Sequence, residues 1–295
     1  MGRKTQKGGC MAKRVAVLGP KGTNGHEAGS RFMIGEEVSE YIFCQGNVEV
    51  FSKILSGEAD YGVAPIHNSS TGLIDDVKRF WLGRGDDFEK RGVYPIMETS
   101  LSIKHCLLVR PDFPTDAKIE KVFSHPEALK QCREVIKARG IVDEQAALST
   151  ADAARLVSLS DPGSGVAAIA SRFVAETYGL KILQEDIQDN GGNETTFHLI
   201  GRKKSLATSG CKTAIIFWLD NEPGSLDGVL GVISAARRNK SMLATVFTGD
   251  KGKIAFYLEF DGHKDEKVVE HVLGLIKCIT NKLVVLGSFL ELLSA

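Results

Sequence analysis

The chain has no excess of charge, no metal-spaced cysteines and no membrane-length apolar run, and each absence removes a class of function. Lys plus Arg and Asp plus Glu both total 37 over 295 residues, so no net field draws the protein to nucleic acid or to an anionic membrane. Neither is an expected partner. The six cysteines (Cys10, Cys44, Cys106, Cys132, Cys211, Cys278) are scattered, with no C-x-x-C pair and no histidine cluster at metal spacing. That argues against zinc and against a disulfide framework, and for reduced thiols in the cytoplasm. No apolar run approaches the roughly 18 residues of a membrane span. The N-terminus carries Arg3, Lys4 and Lys7 but no hydrophobic signal core. The glycine-rich segment after the first strand lacks the Gly-Lys-Ser/Thr ending of a P-loop, and no G-x-G-x-x-G dinucleotide fingerprint is found.

What is present is an α/β pattern. A hydrophobic content of 43% over this length supports real cores, either in two domains or in one large domain with an appendage. Residues 1–13 read as a basic extension, with Met11 as an alternative start. From 14 to about 203, strand-like runs (15–18, 61–65, 101–109, 121–123, 166–169, 197–200) alternate with helical patterns that follow Gly25, Asn47, Ser70, Ser124, Thr150 and Ala170. A small, polar linker at 203–210 marks a domain boundary. Beyond it, residues 212–293 read β-α-β-β-α-β: strands 212–219, 241–248, 253–260 and 282–288, helices 223–237 and 265–279. This is the ferredoxin-like order.

Several segments offer hydrogen-bonding groups where apolar strands run out. The run Tyr61-Gly62-Val63-Ala64-Pro65-Ile66-His67-Asn68-Ser69-Ser70-Thr71-Gly72 leaves its ladder at a Pro and enters polar turn residues, and open α/β sheets bind ligands at such strand ends. An ordinary capped turn is the plainer alternative. Gly19-Pro20-Lys21-Gly22-Thr23-Asn24-Gly25-His26 opens a helix, where backbone N–H groups and Lys21 suit an anion, or where a simple strand-to-helix turn suffices. Ser124-His125-Pro126-Glu127 has capping-box spacing, with Ser124 as the cap and Glu127 reaching back; Gln131 projects from the same face. Ser149-Thr150-Ala151-Asp152 is a similar helix start. Each serves as a cap alone or docks a carboxylate. Thr195 and Thr196 place hydroxyls where a Gly-rich loop becomes a strand. A Thr hydroxyl delivers a proton only in a dry site that polarises it; otherwise both are strand formers. His105, within the run 101–109, reads as a satisfied interior histidine and not a catalyst.

Taken together and in order, these motifs resemble the prephenate dehydratase family with a C-terminal ACT regulatory domain, over residues 15 to about 289. The matching elements are Gly19-Pro20-Lys21-Gly22-Thr23, Asp60-Tyr61-Gly62-Val63-Ala64-Pro65 with Asn68-Ser69 and Gly72, and Ser124-His125-Pro126 with Gln131-Cys132. They continue with Ser149-Thr150 and Ala153-Ala154, Ala167-Ala168-Ile169-Ala170-Ser171, and Asn193-x-Thr195-x-Phe197.

The resemblance implies a two-lobed catalytic region like a periplasmic binding protein, residues 14–203 with a second lobe at about 97–184 and the active site in the cleft between. It implies prephenate, or its aminated analogue arogenate, as substrate, loss of water and carbon dioxide to give phenylpyruvate, and no cofactor. Thr195 matches the family's proton donor. Asn68, Ser69, Ser124, Gln131, Ser149, Thr150, Thr196 and Phe197 match substrate-contact positions. The family usually has Glu where this chain has His67, and Arg where it has Thr196, so His67 is a second candidate for proton delivery. Two alternatives are a non-aromatising prephenate decarboxylase and a catalytically silent phenylalanine sensor.

In the small domain, Asn221, Pro223, Gly224, Ser225 and Leu226 match an amino-acid-binding turn. The family's Glu-Ser-Arg-Pro effector motif is missing from the corresponding Thr245-Val246-Phe247-Thr248-Gly249. L-Phenylalanine as effector and a homodimer or homotetramer complete what the resemblance implies.

Overall fold

A computed structural model describes residues 12–82, 92–114, 117–246 and 253–292. Residues 1–11, with Met11, lie outside it, as do 247–249 of the effector segment and the end of the strand expected at 241–248. The first unit is a parallel β-α-β arrangement: β1 (Lys13–Leu18), α1 (Asn24–Phe32), β2 (Val38–Cys44), α2 (Asn47–Ser56) and β3 (Tyr61–Asn68). β1 lies between β2 and β3, paired in parallel with both. Val15, Ala16 and Val17 are fully buried, as expected of a strand covered on both faces. A Cβ on Gly62 would lie 2.6 Å from Ile54 Cδ1 and 2.8 Å from Val50 Cγ1, so glycine is what lets α2 sit this close.

The helix expected after Ser70 starts later, as α3 (Asp75–Leu82). Asn68 Oδ1 accepts from the backbone N–H of Ser70 (2.9 Å) and Thr71 (3.2 Å), folding the segment into an Asx turn. The short strand β4 (Gly72–Leu73) then pairs back onto the end of β3.

The apolar run 101–109 is two strands, not one. β5 (Tyr94–Ser102) belongs to the first sheet and β6 (Cys106–Val109) to the second. Ser102 and Lys104 are exposed while all of β6 is buried, so the run has the pattern of a single strand passing from half-covered to buried and gave no sign of the break. Between them the chain crosses from one lobe to the other, Ile103 N donating to Asn193 O (2.8 Å) and His105 O accepting from Ile187 N (2.9 Å) on the returning segment. The lobe boundary expected near 97 therefore shifts to the crossing at 103–105.

The second lobe contains β7 (Lys121–Ser124), α4 (Pro126–Gln131), α5 (Arg133–Ala138), β8 (Asp143–Ala146), α6 (Thr150–Ser158), β9 (Val166–Ala170), α7 (Arg172–Tyr178) and β10 (Lys181–Gln184). Its sheet order is β10-β6-β9-β7-β8. Ala151, Ala153, Ala154 and Val157 are fully buried; their small side chains let α6 lie close against β9. The chain returns through β11 (Glu194–Gly201), which lies between β3 and β5.

The C-terminal segment has the expected element order: β12 (Cys211–Asp220), α8 (Ser225–Ala235), β13 (Lys240–Val246), β14 (Lys253–Asp261), α9 (Lys267–Ile279), β15 (Lys282–Glu291). Its strands run β13-β14-β12-β15, and α8 and α9 bury Val229, Ile233, Val269, Val272 and Ile276 in a common core with this sheet. The end of β15 pairs in parallel with β5, Leu290 opposite Met97 and Glu291 opposite Glu98. The C-terminal strands thus continue the first lobe's sheet. Across this seam Glu98, His198, Lys212 and Glu259 form a buried charged cluster. The five described cysteines are unpaired, and no helix among the described residues is long and apolar enough to cross a membrane.

Candidate active site

A cavity of about 340 Å³ lies where elements of both lobes end. β1, β3 and β11 contribute Leu18, Pro65, Asn68, Thr195 and Phe197; the crossings contribute Ile103, His105 and Asn193; the second lobe contributes His125, Gln131, Ser149 and Thr150.

Its best-organised pair is Asn68 and Thr195, which sit opposite each other in the β3–β11 ladder. Asn68 Nδ2 donates to Thr195 Oγ1 (2.9 Å) and to Asn193 Oδ1 (2.8 Å), while its Oδ1 holds the Asx turn. Both ends of the amide are therefore anchored. Because the Thr195 oxygen accepts from Asn68, its own O–H is directed elsewhere as a donor, in a position only 8% exposed. An accepted hydrogen bond polarises that O–H further.

Two nine-residue helices begin at the cavity. α1 starts from its N-cap Thr23, and Asn24 and Gly25 form wall. α6 starts from Ser149, whose Oγ accepts from Asp152 N (3.0 Å) and donates to Asp152 Oδ2 (3.1 Å). First-turn N–H groups have no intrahelical acceptor, and both helices turn their positive end to the same space. The Gly19–His26 turn is held by Gly22 N donating to His26 Nδ1 (3.1 Å); burial, helped by Lys21, pushes this histidine down to about 4. Lys21 is not at the cavity wall; its carbonyl accepts from Tyr178 of the second lobe (2.8 Å).

Four of the expected site residues lie elsewhere. Ser124 is fully buried and donates to Ile169 O (2.6 Å). It ends β7 rather than capping α4. The cap is His125, whose Nδ1 accepts from Glu127 N (3.3 Å), and Glu127 pairs with Lys130 instead of reaching back. Ser69 clasps the 192–194 loop, donating to Gly192 O (3.1 Å) and accepting from Glu194 N (2.9 Å).

His67 and Thr196 do not line the cavity. In the ladder Thr196 faces His67 while Phe197 faces Pro65, leaving Ile66 as an extra, bulged residue. The bulge thereby turns Pro65 to the cavity together with Asn68, and His67 faces away from it. Thr196 is hydrogen-bonded to Ser100 (3.0 Å). The two departures from the family pattern are therefore cross-strand neighbours, where a Glu and an Arg would face each other as an ion pair. Both departures lie outside the cavity.

Asn68, Gln131, Ser149, Thr150, Thr195 and Phe197 are brought together as expected wall residues. Asn193, His105 and His125 also reach the wall. Asn193 and His125 stood in quoted motifs, but the chain's local pattern suggested only a loop and a cap; His105 is interior, as expected, and at the wall as well.

Fold and site define a two-lobed α/β protein with a polar-lined cavity between its lobes, onto which two helix N-termini open. The chain belongs to the prephenate dehydratase family: the family model of that description matches residues 15–205. It is 33% identical over 278 residues to the bifunctional chorismate mutase/prephenate dehydratase of Aquifex aeolicus, covering 94% of this chain and 73% of that protein. It is 31% identical over 284 residues to the prephenate dehydratase of Methanocaldococcus jannaschii, covering 95% of this chain and 98% of that protein. A solved structure of prephenate dehydratase from Arthrobacter aurescens in complex with L-Phe superposes with a TM-score of 0.77 at 27% identity, covering 94% of this chain and 89% of that one.

Proposed function

We propose that the chain converts prephenate to phenylpyruvate, expelling water and carbon dioxide, in L-phenylalanine biosynthesis. The observation that carries this reading is the Asn68–Thr195 pair, an anchored amide feeding a sheltered hydroxyl, in a cavity that two helix N-termini face. The side-chain carboxylate of the substrate is held by first-turn N–H groups and by the Gln131 amide. As the ring C–O bond breaks, its electron pair goes to oxygen; the Thr195 O–H donates its proton to that oxygen and is reprotonated from solvent, so the hydroxyl leaves as water. The ring carboxylate lies against Leu18, Pro65 and Phe197. An apolar surround disfavours the localised anion and favours its loss as carbon dioxide, the C–C electrons completing the aromatic ring.

Incubation with prephenate tests the reading. Phenylpyruvate, seen by its absorbance in alkali, is the expected product; a non-aromatic decarboxylated product or unchanged substrate would overturn it. With His67 outside the cavity, redirected proton delivery loses its residue. Ser124 acts in folding on this account: Ser124→Ala is expected to cost about 1 to 3 kcal/mol in denaturant unfolding, by orphaning a buried partner, with the prephenate KM unchanged.

Residues 212–293 are, on the same proposal, an ACT regulatory domain through which the cytoplasmic enzyme forms a homodimer or homotetramer. Its effector site is the turn of Asn221, Pro223, Gly224, Ser225 and Leu226. Gly224 caps α8 at φ 83, a conformation that leaves the backbone open to a small ligand. The L-Phe complex of the Arthrobacter aurescens relative supports this reading. Phenylalanine at millimolar concentration is expected to lower turnover; calorimetry showing no binding there would contradict it.

A further inference from the structure

His105 has no part in the chemistry above, yet it reaches the same wall as Gln131. It lies in the crossing between the lobes, Gln131 at the end of α4, and their side chains meet at 3.0 Å, Nε2 to Oε1. Burial holds the imidazole below its ordinary pKa against the opposing effect of the Gln131 bond, so the ring is neutral and carries one N–H. Its Nδ1 is buried without a partner, and a buried N–H is the costlier group to orphan. The proton therefore sits on Nε2 and is accepted by Gln131 Oε1.

We infer that His105 is a positioning residue: by donating to Gln131 Oε1 it turns the Gln131 amide so that its N–H bonds, not its carbonyl, face a substrate carboxylate. The terminal torsion of a glutamine is broad and roughly two-fold. Without His105, turning the N–H bonds to a carboxylate would leave Oε1 of the half-buried Gln131 without a donor, a cost comparable with the hydrogen bond gained, so the contact with the carboxylate is lost. The inference rests on the prephenate reading, since an anionic ligand is what makes the amide's orientation matter. The backbone N–H of His105 also donates to Gln188 Oε1 (2.9 Å), so the chain that carries the ring is held from the second crossing as well.

The test is steady-state kinetics on prephenate with the wild type, His105→Gln, His105→Asn, Gln131→Met and the His105→Asn/Gln131→Met pair. His105→Gln carries an N–H to the Nε2 position and is expected to keep KM within about threefold. Asn is too short to reach. His105→Asn is expected to raise KM about ten- to a hundredfold, the worth of one hydrogen bond to a charged group. The kcat should change little, because the contact holds ground and transition states alike. Gln131→Met should match that rise, and the double variant should add nothing to it. Losses that multiply, His105→Asn at the wild-type KM, or His105→Gln failing like Asn would each overturn the inference. A wild type that makes no phenylpyruvate would overturn the reaction assignment and this inference with it; an active wild type with unaltered His105→Asn overturns the inference alone.

Discussion

Thr195→Val is expected to lower kcat on prephenate by about a hundred- to ten-thousandfold, the range for loss of a positioned proton donor, with KM within about threefold of the wild type. Valine keeps the shape of threonine and removes the hydroxyl, so the β3–β11 ladder is undisturbed. Asn68 stays anchored after the change, because its Nδ2 retains Asn193 Oδ1 at 2.8 Å and Glu194 O at 3.2 Å. Thr195→Ser restores the O–H and should recover most of the rate. Equal losses in Val and Ser variants would point to packing, and a Val variant with full turnover would remove Thr195 from the chemistry.

Lys212→Met is expected to cost about 1.5 to 3 kcal/mol of stability, the worth of a hydrogen bond to a charged group, since Glu98 keeps His198 at 3.1 Å as its second partner. Lys212 Nζ lies 2.7 Å from Glu98, whose side chain is 5% exposed, and 3.0 Å from Glu291. Burial alone would raise the Glu98 pKa, but the hydrogen bond and charge of His198 and the nearby Lys212 ammonium hold it below the usual value. Glu259, 3.8 Å from His198, is pushed up to about 7 by burial and by the Glu98 charge.

The signs of these shifts set the pH dependence. Glu98, depressed in the folded state, contributes stability that is present above its unfolded pKa and lost as pH falls through its folded one. Glu259, raised, contributes stability that is present below the ordinary carboxylate range and lost as pH rises through about 7. Without Lys212 only His198 opposes the burial of Glu98, so its folded pKa moves up and the deficit should shrink on acidification from pH 8 to pH 5. Guanidine unfolding at both pH values checks this, and Glu98→Gln in the Lys212→Met background should recover most of the loss. A deficit that does not depend on Glu98 would mean that the seam is held by packing instead.

How much was legible in the sequence depended on whether a residue's direction follows from local pattern. Asn68, Thr150 and Thr195 were readable because strand ends and helix starts in open α/β sheets point to a common space, whatever the details of pairing. His67 and Thr196 were misplaced: strand alternation turns each away from the face that its neighbours Asn68, Thr195 and Phe197 present to the cavity, while the bulge at Ile66 brings Pro65 round to that face. Ser124 was misread for a related reason: S-x-x-E spacing fits a cap, but β7 continues through Ser124 and leaves the cap to His125. The break after Ser102 was hidden because the half-covered end of β5 followed by the buried β6 has the pattern of one strand, although the two belong to different sheets. The joining of β15 to β5 is a contact between distant segments, and no local spacing records it.

The most direct test of the account is a crystal structure of Thr195→Val with prephenate bound. The ring should lie between the lobes, its hydroxyl oxygen within hydrogen-bond distance of where the Thr195 Oγ1 stood and a carboxylate on the first-turn N–H groups of α1 or α6. Prephenate bound elsewhere, or seated there with its ring hydroxyl turned to solvent, would contradict it.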